Sequence, residues 1–130
     1  MSEQDNVRVV RELLEAFRRG DVTGVLDRLT DDVECRLAGP TEATRAGTHR
    51  GKDQVMQLFR TISEASEFEQ FEPQEYIAQG DKVVALGRER QRVKASGQVA
   101  EADWAMVFTL RDGKVARFRN YQDVAAPAHP

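Results

Sequence analysis

A chain of 130 residues, 40% apolar and 32% charged, has room for one domain with one core and is too apolar to be disordered throughout. A formal charge of −3, with 15 Arg and 4 Lys scattered among 22 acids, excludes the net basic face that nucleic acid requires. The single cysteine, Cys35, excludes an intramolecular disulfide and a cysteine metal centre, and His49 and His129 are too few and too far apart for a histidine one.

The first segment, Asp5 to Arg19, sets Val7, Val10, Leu13, Leu14 and Phe17 on one helical stripe. Ser2 followed by Asp5 has the form of a capping box, and Gly20 ends the helix. Asp21 then caps a second helix whose apolar side is Val22, Val25, Leu26 and Leu29. Thr30-Asp31-Asp32 turns the chain into a short strand with Val33, Cys35 and Leu37 on one face, and Glu34 and Arg36 on the other. The Gly-, Pro-, Thr- and Ala-rich run from Gly39 to Arg50 reads as a loop able to serve as a lid.

A third helix, Lys52 to Ser63, buries Val55, Leu58, Phe59 and Ile62. The rest reads as sheet. One strand runs near Phe68 to Ala78, with Pro73 arguing for an edge position or a bulge. Lys82–Val93 and Val99–Leu110 follow, the latter with Trp104, Met106, Phe108 and Leu110 on one side. Asp112-Gly113 is the strongest hairpin signal, and Val115 to Asp123 is the last strand. Arg88, Arg90, Arg92 and Lys94 fall on one strand face, either solvated or contacting an anion at a pocket mouth, and Glu89 falls on the other. Glu89 and Asp103 read as solvent-facing or interface charges, and Tyr76 as a residue of the dimer or edge face.

Helices first and a strand meander afterwards indicate an α+β domain, helices on one face of a curved antiparallel sheet. Three short helices do not cover four long strands, so the concave side keeps a pocket. The convex side needs cover, which a second copy of the chain can supply as a homodimer. No leader, long apolar run or lipidation motif is visible, which points to a reducing cytosol without membrane contact. Arg in excess of Lys hints at a bacterial source.

Several motifs together carry a resemblance. They are Arg-Gly-Asp before the second helix, Leu29-Thr30-Asp31-Asp32-Val33, Gly47-Thr48-His49-Arg50-Gly51, Val107 through Val115, and Arg119-Asn120-Tyr121-Gln122-Asp123. Over residues 5 to 124 the chain resembles the SnoaL-like branch of the nuclear transport factor 2-like superfamily, which includes ketosteroid isomerase and limonene epoxide hydrolase relatives. The resemblance implies a cone-shaped α+β barrel, three helices on a mostly antiparallel sheet around a pocket. Residues 1–124 form the domain and 125–130 a flexible tail. It does not fix a reaction, since this fold hosts many.

Steroid isomerisation needs a carboxylate base, a Tyr and a protonated acid. The matching positions hold Leu13, Leu37 and Met106, so that mechanism is rejected. Against the epoxide hydrolase pattern, Arg88 and Asp123 are retained, whereas Arg90, Cys35 and Leu37 replace the other three. Arg88 with Asp123 is then either a retained polar pair or a structural ion pair bridging two strands.

The catalytic candidates are Asp123, Arg88 and His49, the last either an acid–base group at the rim or a residue that caps or contacts the loop before the third helix. Strand parity turns Asp123 away from Phe118, Asn120 and Gln122 unless a bulge intervenes. The candidate pocket wall comprises Leu13, Phe17, Cys35, Leu37, Phe59, Trp104, Met106, Phe108, Phe118 and Asn120, unless the aromatic residues simply pack the core. Cys35 reads as an inert core residue rather than a nucleophile. The expected partner is a small hydrophobic, ring-containing molecule, with no cofactor and no metal. Isomerase or cyclase chemistry and a non-catalytic binding module remain alternatives.

Overall fold

The computed structural model describes residues 2–37 and 47–124, the last two by their backbone alone. In order these form α1 (Glu3–Arg18), α2 (Val22–Asp27), β1 (Leu29–Leu37), β2 (Gly47–Arg50), α3 (Gly51–Ala65), β3 (Ser66–Gln79), β4 (Lys82–Val93), β5 (Val99–Arg111) and β6 (Lys114–Val124). The Ser2–Asp5 capping box forms, with the Ser2 hydroxyl accepting from the Asp5 amide at 3.0 Å. Asp21 caps α2 by accepting from the Gly24 amide, also at 3.0 Å. Asp112 and Gly113 both take positive φ, 52° and 81°, the geometry of a tight hairpin whose twist matches its strands.

Six strands form one curved, open sheet in the order β2-β1-β6-β5-β4-β3. The sheet is mixed, because β1 pairs with β6 in parallel, Cys35 opposite Phe118 and Leu37 opposite Asn120. Part of the expected lid also differs: Gly47–Arg50 adds an antiparallel strand to β1, with His49 opposite Cys35. Residues 38–46 of that run, and the tail at 125–130, lie outside the described residues. Pro73 fulfils both expectations for it. It sits on the edge strand β3, beside a register shift between Pro73 and Glu75.

The helices bury their stripes on one sheet face. Val10, Leu13 and Leu14 of α1, Val25 of α2, and Val55 and Leu58 of α3 meet Val33, Cys35, Val83, Ala85, Trp104, Phe108, Leu110, Val115 and Phe118. Each such side chain contributes about 1.5–3 kcal/mol on burial. Period two along β5 explains why Trp104, Met106, Phe108 and Leu110 share this concave face while Asp103 is exposed on the other. Tyr76 departs from its expected place. It lies on the edge strand but opposite buried Ala85, turned toward α1, where the Arg11 guanidinium sits 4.8 Å above its ring.

Candidate functional site

The concave face is apolar at its base and polar further along. On β5 and β6 the register sets Phe108 opposite Phe118, Met106 opposite Asn120 and Trp104 opposite Gln122. Phe108 and Phe118 stack at 5.8 Å between ring centroids. Leu13, Cys35 and Phe108 are closed into the core, whereas Leu37, Met106 and Asn120 stay half-buried and keep surface for a ligand.

Trp104 is 3% exposed, and its indole crosses the neighbouring strand at Gly87. A Cβ at that glycine would stand 2.4 Å from Trp104 Cζ2, so only a residue without a side chain lets the ring lie flat there. Phe71 of β3 stacks on the indole at 5.2 Å with planes 16° apart. Phe71 is also the inner member of an aromatic cluster, since Phe17 lies 5.0 Å from it, 5.3 Å from Phe68 and 5.7 Å from Phe59.

Beyond this cluster, between the α1–α2 junction, the end of α3 and β3, a cleft of about 680 Å³ is floored by Phe17, Phe59, Ile62, Phe68 and Phe71. That volume is in the range of small-molecule sites, about 300–1,000 Å³. Phe17 and Phe59 thus supply a helix-side wall, though on this cleft rather than directly opposite Met106.

Two polar atoms on the concave face are buried without a hydrogen-bond partner among the described residues: Trp104 Nε1, a donor, and Asn120 Oδ1, an acceptor. Leaving such a group unsatisfied costs about 1–3 kcal/mol, and native folds hold few of them. Their side chains start from diagonal positions on the paired strands β5 and β6.

The catalytic candidates are not brought together. Arg88 is exposed on the convex face, in a cross-strand row running from Glu72 through Arg88 and Asp103 to position 123. Asp103 stands between Arg88 and Asp123, so the two are two strands apart, about 10 Å, and do not bridge neighbouring strands. The register of β6 runs without a bulge from Phe118 to Val124, and the side chain of Asp123 lies outside the described residues. His49 is half-buried on β2 and lines a separate hollow of about 270 Å³ with Asp53, Gln54 and Gln57 of α3.

Arg90 is tied to Glu69 at 2.9 Å and Glu101 at 3.1 Å, and Arg92 to Glu67, so much of the basic run is a solvated, ion-paired face. Cys35 is fully buried, and desolvation pushes its thiol well above the ordinary range, which removes it as a nucleophile near neutral pH. Among the described residues no group of three or more His, Cys, Asp or Glu side chains could hold a metal ion, and no helix is long and apolar enough to cross a membrane.

Glu89 was expected to face solvent or an interface, and the structure corrects this. It is 4% exposed on the concave face, in phase with buried Val83, Ala85 and Gly87. The Gln91 amide donates to its carboxylate. The small residues at 85 and 87, alternating with the arginines, are the sequence signal that would have found it.

Comparison with known proteins agrees with this architecture. A nuclear transport factor 2-like protein from Burkholderia xenovorans is 38% identical, with 95% of this chain and 92% of that one covered and a TM-score of 0.84. TerC, co-crystallised with polyporic acid, is 26% identical over 92% of each chain, with a TM-score of 0.83. A candidate SnoaL-like polyketide cyclase from Mesorhizobium loti shares the fold at 20% identity, covering 88% of this chain and 97% of that one, with a TM-score of 0.74. Among curated proteins none matches. The SnoaL-like domain profile matches residues 10–118. With its helices, sheet order and concave wall in agreement with that match, the chain belongs to the SnoaL-like family.

Proposed function

We propose that this protein binds a small hydrophobic, ring-containing molecule of the ketone, polyketide or steroid-like kind against the concave wall. The observation that carries this reading is a pair of buried polar atoms without a hydrogen-bond partner among the described residues, Trp104 Nε1 and Asn120 Oδ1, beside the apolar base of the concave face. Leu37, Met106 and Phe118 supply the apolar contact, worth about 25 cal/mol per Å² of surface covered. A ring oxygen accepts from Trp104, and a donor on the molecule meets Asn120. TerC, co-crystallised with polyporic acid, and the candidate SnoaL-like polyketide cyclase support the same class.

Titrating the protein with para-methoxyacetophenone and following the emission of Trp104, the only tryptophan, tests this. Saturable quenching that weakens in Asn120→Leu is expected. Quenching that rises linearly without saturation, as for free collision, would remove the proposal.

A second reading adds isomerase or cyclase acid–base chemistry, with Asp123 as acid–base and Arg88 or His49 stabilising charge. Its support is the candidate cyclase of the same fold. The apolar Leu13, Leu37 and Met106 favour the non-catalytic version. Asp123→Asn abolishing turnover of a found substrate would decide for chemistry, and undiminished turnover against that mechanism. The reading takes the protein as cytoplasmic, cofactor-free and homodimeric through the convex face, where Ile77 and Tyr121 are exposed beside half-buried Val84, Leu86 and Val107.

A further inference from the structure

We infer that the aromatic cleft between the α1–α2 junction, the end of α3 and β3 is a second binding site, and that it takes flat aromatic carboxylic acids. The site is separate from the concave wall, since Leu37, Trp104, Met106 and Asn120 are not among the residues lining it. Phe71 alone belongs to both, stacked on Trp104 in the wall and in contact with Phe17 in the cleft floor. That floor keeps apolar surface for a ligand. Phe17, Phe59, Ile62 and Phe68 are half-buried rather than closed into the core, and exposed Val22 stands at the rim. The phenylalanine rings meet one another at 56° to 78°, so they present edges as well as faces, which suits edge-to-face contact with a flat ring. A cleft of about 680 Å³ admits a bicyclic ring system.

The polar groups at the α3–β3 end set the charge of the ligand. Arg18, Arg19 and Lys94 are the cations that line the cleft. Arg18 is paired with Glu15 at 2.6 Å, and Arg19 lies 3.7 Å from both Glu15 and Asp21. Lys94 has no carboxylate at ion-pair distance among the described residues. Its Nζ donates to the Ser63 carbonyl at 2.9 Å, which holds the ammonium at the end of α3, and an ammonium can donate more than once. Ser66 adjoins it, because the Lys94 amide donates to the Ala65 carbonyl at 3.0 Å and Ser66 pairs with Val93. Ser66 is 4% exposed and lines the cleft, and its hydroxyl has no hydrogen-bond partner among the described residues. The acids of the lining do not oppose an anion there. Glu67 and Glu69 are held by Arg92 and Arg90, and Asp21 caps α2. Glu72 stands far along β3 from Ser66, about 20 Å at the rise of a strand. A carboxylate on an apolar ring complements this arrangement, with its head for Lys94 and Ser66 and its ring for the floor.

The test compares 2-naphthoate with methyl 2-naphthoate, which carries the same ring without the charge, by calorimetric titration of the intact protein. The wild type should bind the acid about tenfold tighter, the scale of one hydrogen bond to a charged group. That advantage should shrink as salt is added, because the Lys94 head is exposed. Lys94→Gln, at an exposed position, should bind acid and ester equally while keeping its affinity for the ester, and Ser66→Ala should narrow the difference. Ile62→Trp, which fills the floor, should lose both compounds, and Asn120→Leu, on the concave wall, should keep both. A preference that survives in Lys94→Gln with wild-type Tm, or a wild type that binds acid and ester equally, overturns the inference. So does the absence of saturable binding, or binding lost in Asn120→Leu and kept in Ile62→Trp, which would seat the acid on the concave wall. The concave-wall reading is judged apart from this, by the para-methoxyacetophenone titration.

Discussion

Replacing Gly87 by alanine probes the contact on which the concave wall depends. The added methyl would stand 2.4 Å from Trp104 Cζ2, 2.7 Å from Cη2 and 2.4 Å from the backbone oxygen of Glu72. Carbon atoms settle about 3.5–4.0 Å apart, so the ring must move by about an ångström or more. It can do so only by leaving the stack with Phe71, worth about 0.5–1.5 kcal/mol. The Glu72 oxygen belongs to the backbone of β3 and moves only if the pairing with β4 opens.

Overpacking of this kind costs about 1–3 kcal/mol, and alanine returns about 0.4–1 kcal/mol by restricting the unfolded chain. Together with the lost stack these terms leave a net loss of about 0.5–4 kcal/mol, centred near 2 kcal/mol, which lowers Tm by roughly 7 °C in a chain of this size. Because Trp104 is the single tryptophan, its emission should shift to the red and its near-ultraviolet dichroism should fall together with Tm. Adding Trp104→Phe should recover part of the loss only, since the Glu72 contact remains. A Gly87→Ala protein with unaltered emission and a Tm within about 2 °C of the wild type would refute this account of the wall.

Cys35 carries a pH signature. Burial raises its thiol in the folded chain, whereas the unfolded chain ionises near pH 8.5. Above that pH the unfolded state binds fewer protons than the folded state, so stability falls by about 1.4 kcal/mol per pH unit, and below it the term is constant. Urea midpoints from pH 7 to 10 should show this extra slope in the wild type and not in Cys35→Ala; equal slopes would contradict it. Val107→Arg places a charge at the centre of the convex face, beside Val84 and Arg119. Light scattering should show the wild type as a dimer and this variant as a folded monomer, and equal masses would count against the convex-face dimer.

Much of the scaffold is legible because local chemistry and periodicity agree. Ser2 and Asp5, Asp21, and Asp112-Gly113 announce three boundaries by capping and turn geometry, and each appears where those residues stand. The alternation of Trp104, Met106, Phe108 and Leu110 fixes the inner face of β5 in the same way. Elements set by distant pairing are less visible. Gly47-Thr48-His49-Arg50 has the composition of a loop, and only the free edge of β1 makes it a strand. The parallel joining of β1 to β6 leaves no local trace, since it depends on the whole meander returning beside the first strand. Tyr76 faces α1 because of a register shift in β3 that Pro73 signals without giving its sense.

The site was harder to read because one residue of phase on β4 exchanges its two faces entirely. The resemblance to epoxide hydrolases sets polar pocket positions on Arg88 and Arg90, which would give the inner face two positive charges. In the structure Arg88 and Arg90 belong to the outer face, and Gly87 and Glu89 take the inner one. Charged residues are so rarely buried that Glu89 looks external until its phase with Val83 and Ala85 is followed along the strand. The consequence is chemical as well as geometric. An inner face with two arginines would carry two positive charges, whereas the inner face here carries the Glu89 carboxylate and the Trp104 indole N–H. The absence of a side chain at Gly87 joins the two effects, because it lets the indole lie across β4 in the row adjoining the carboxylate.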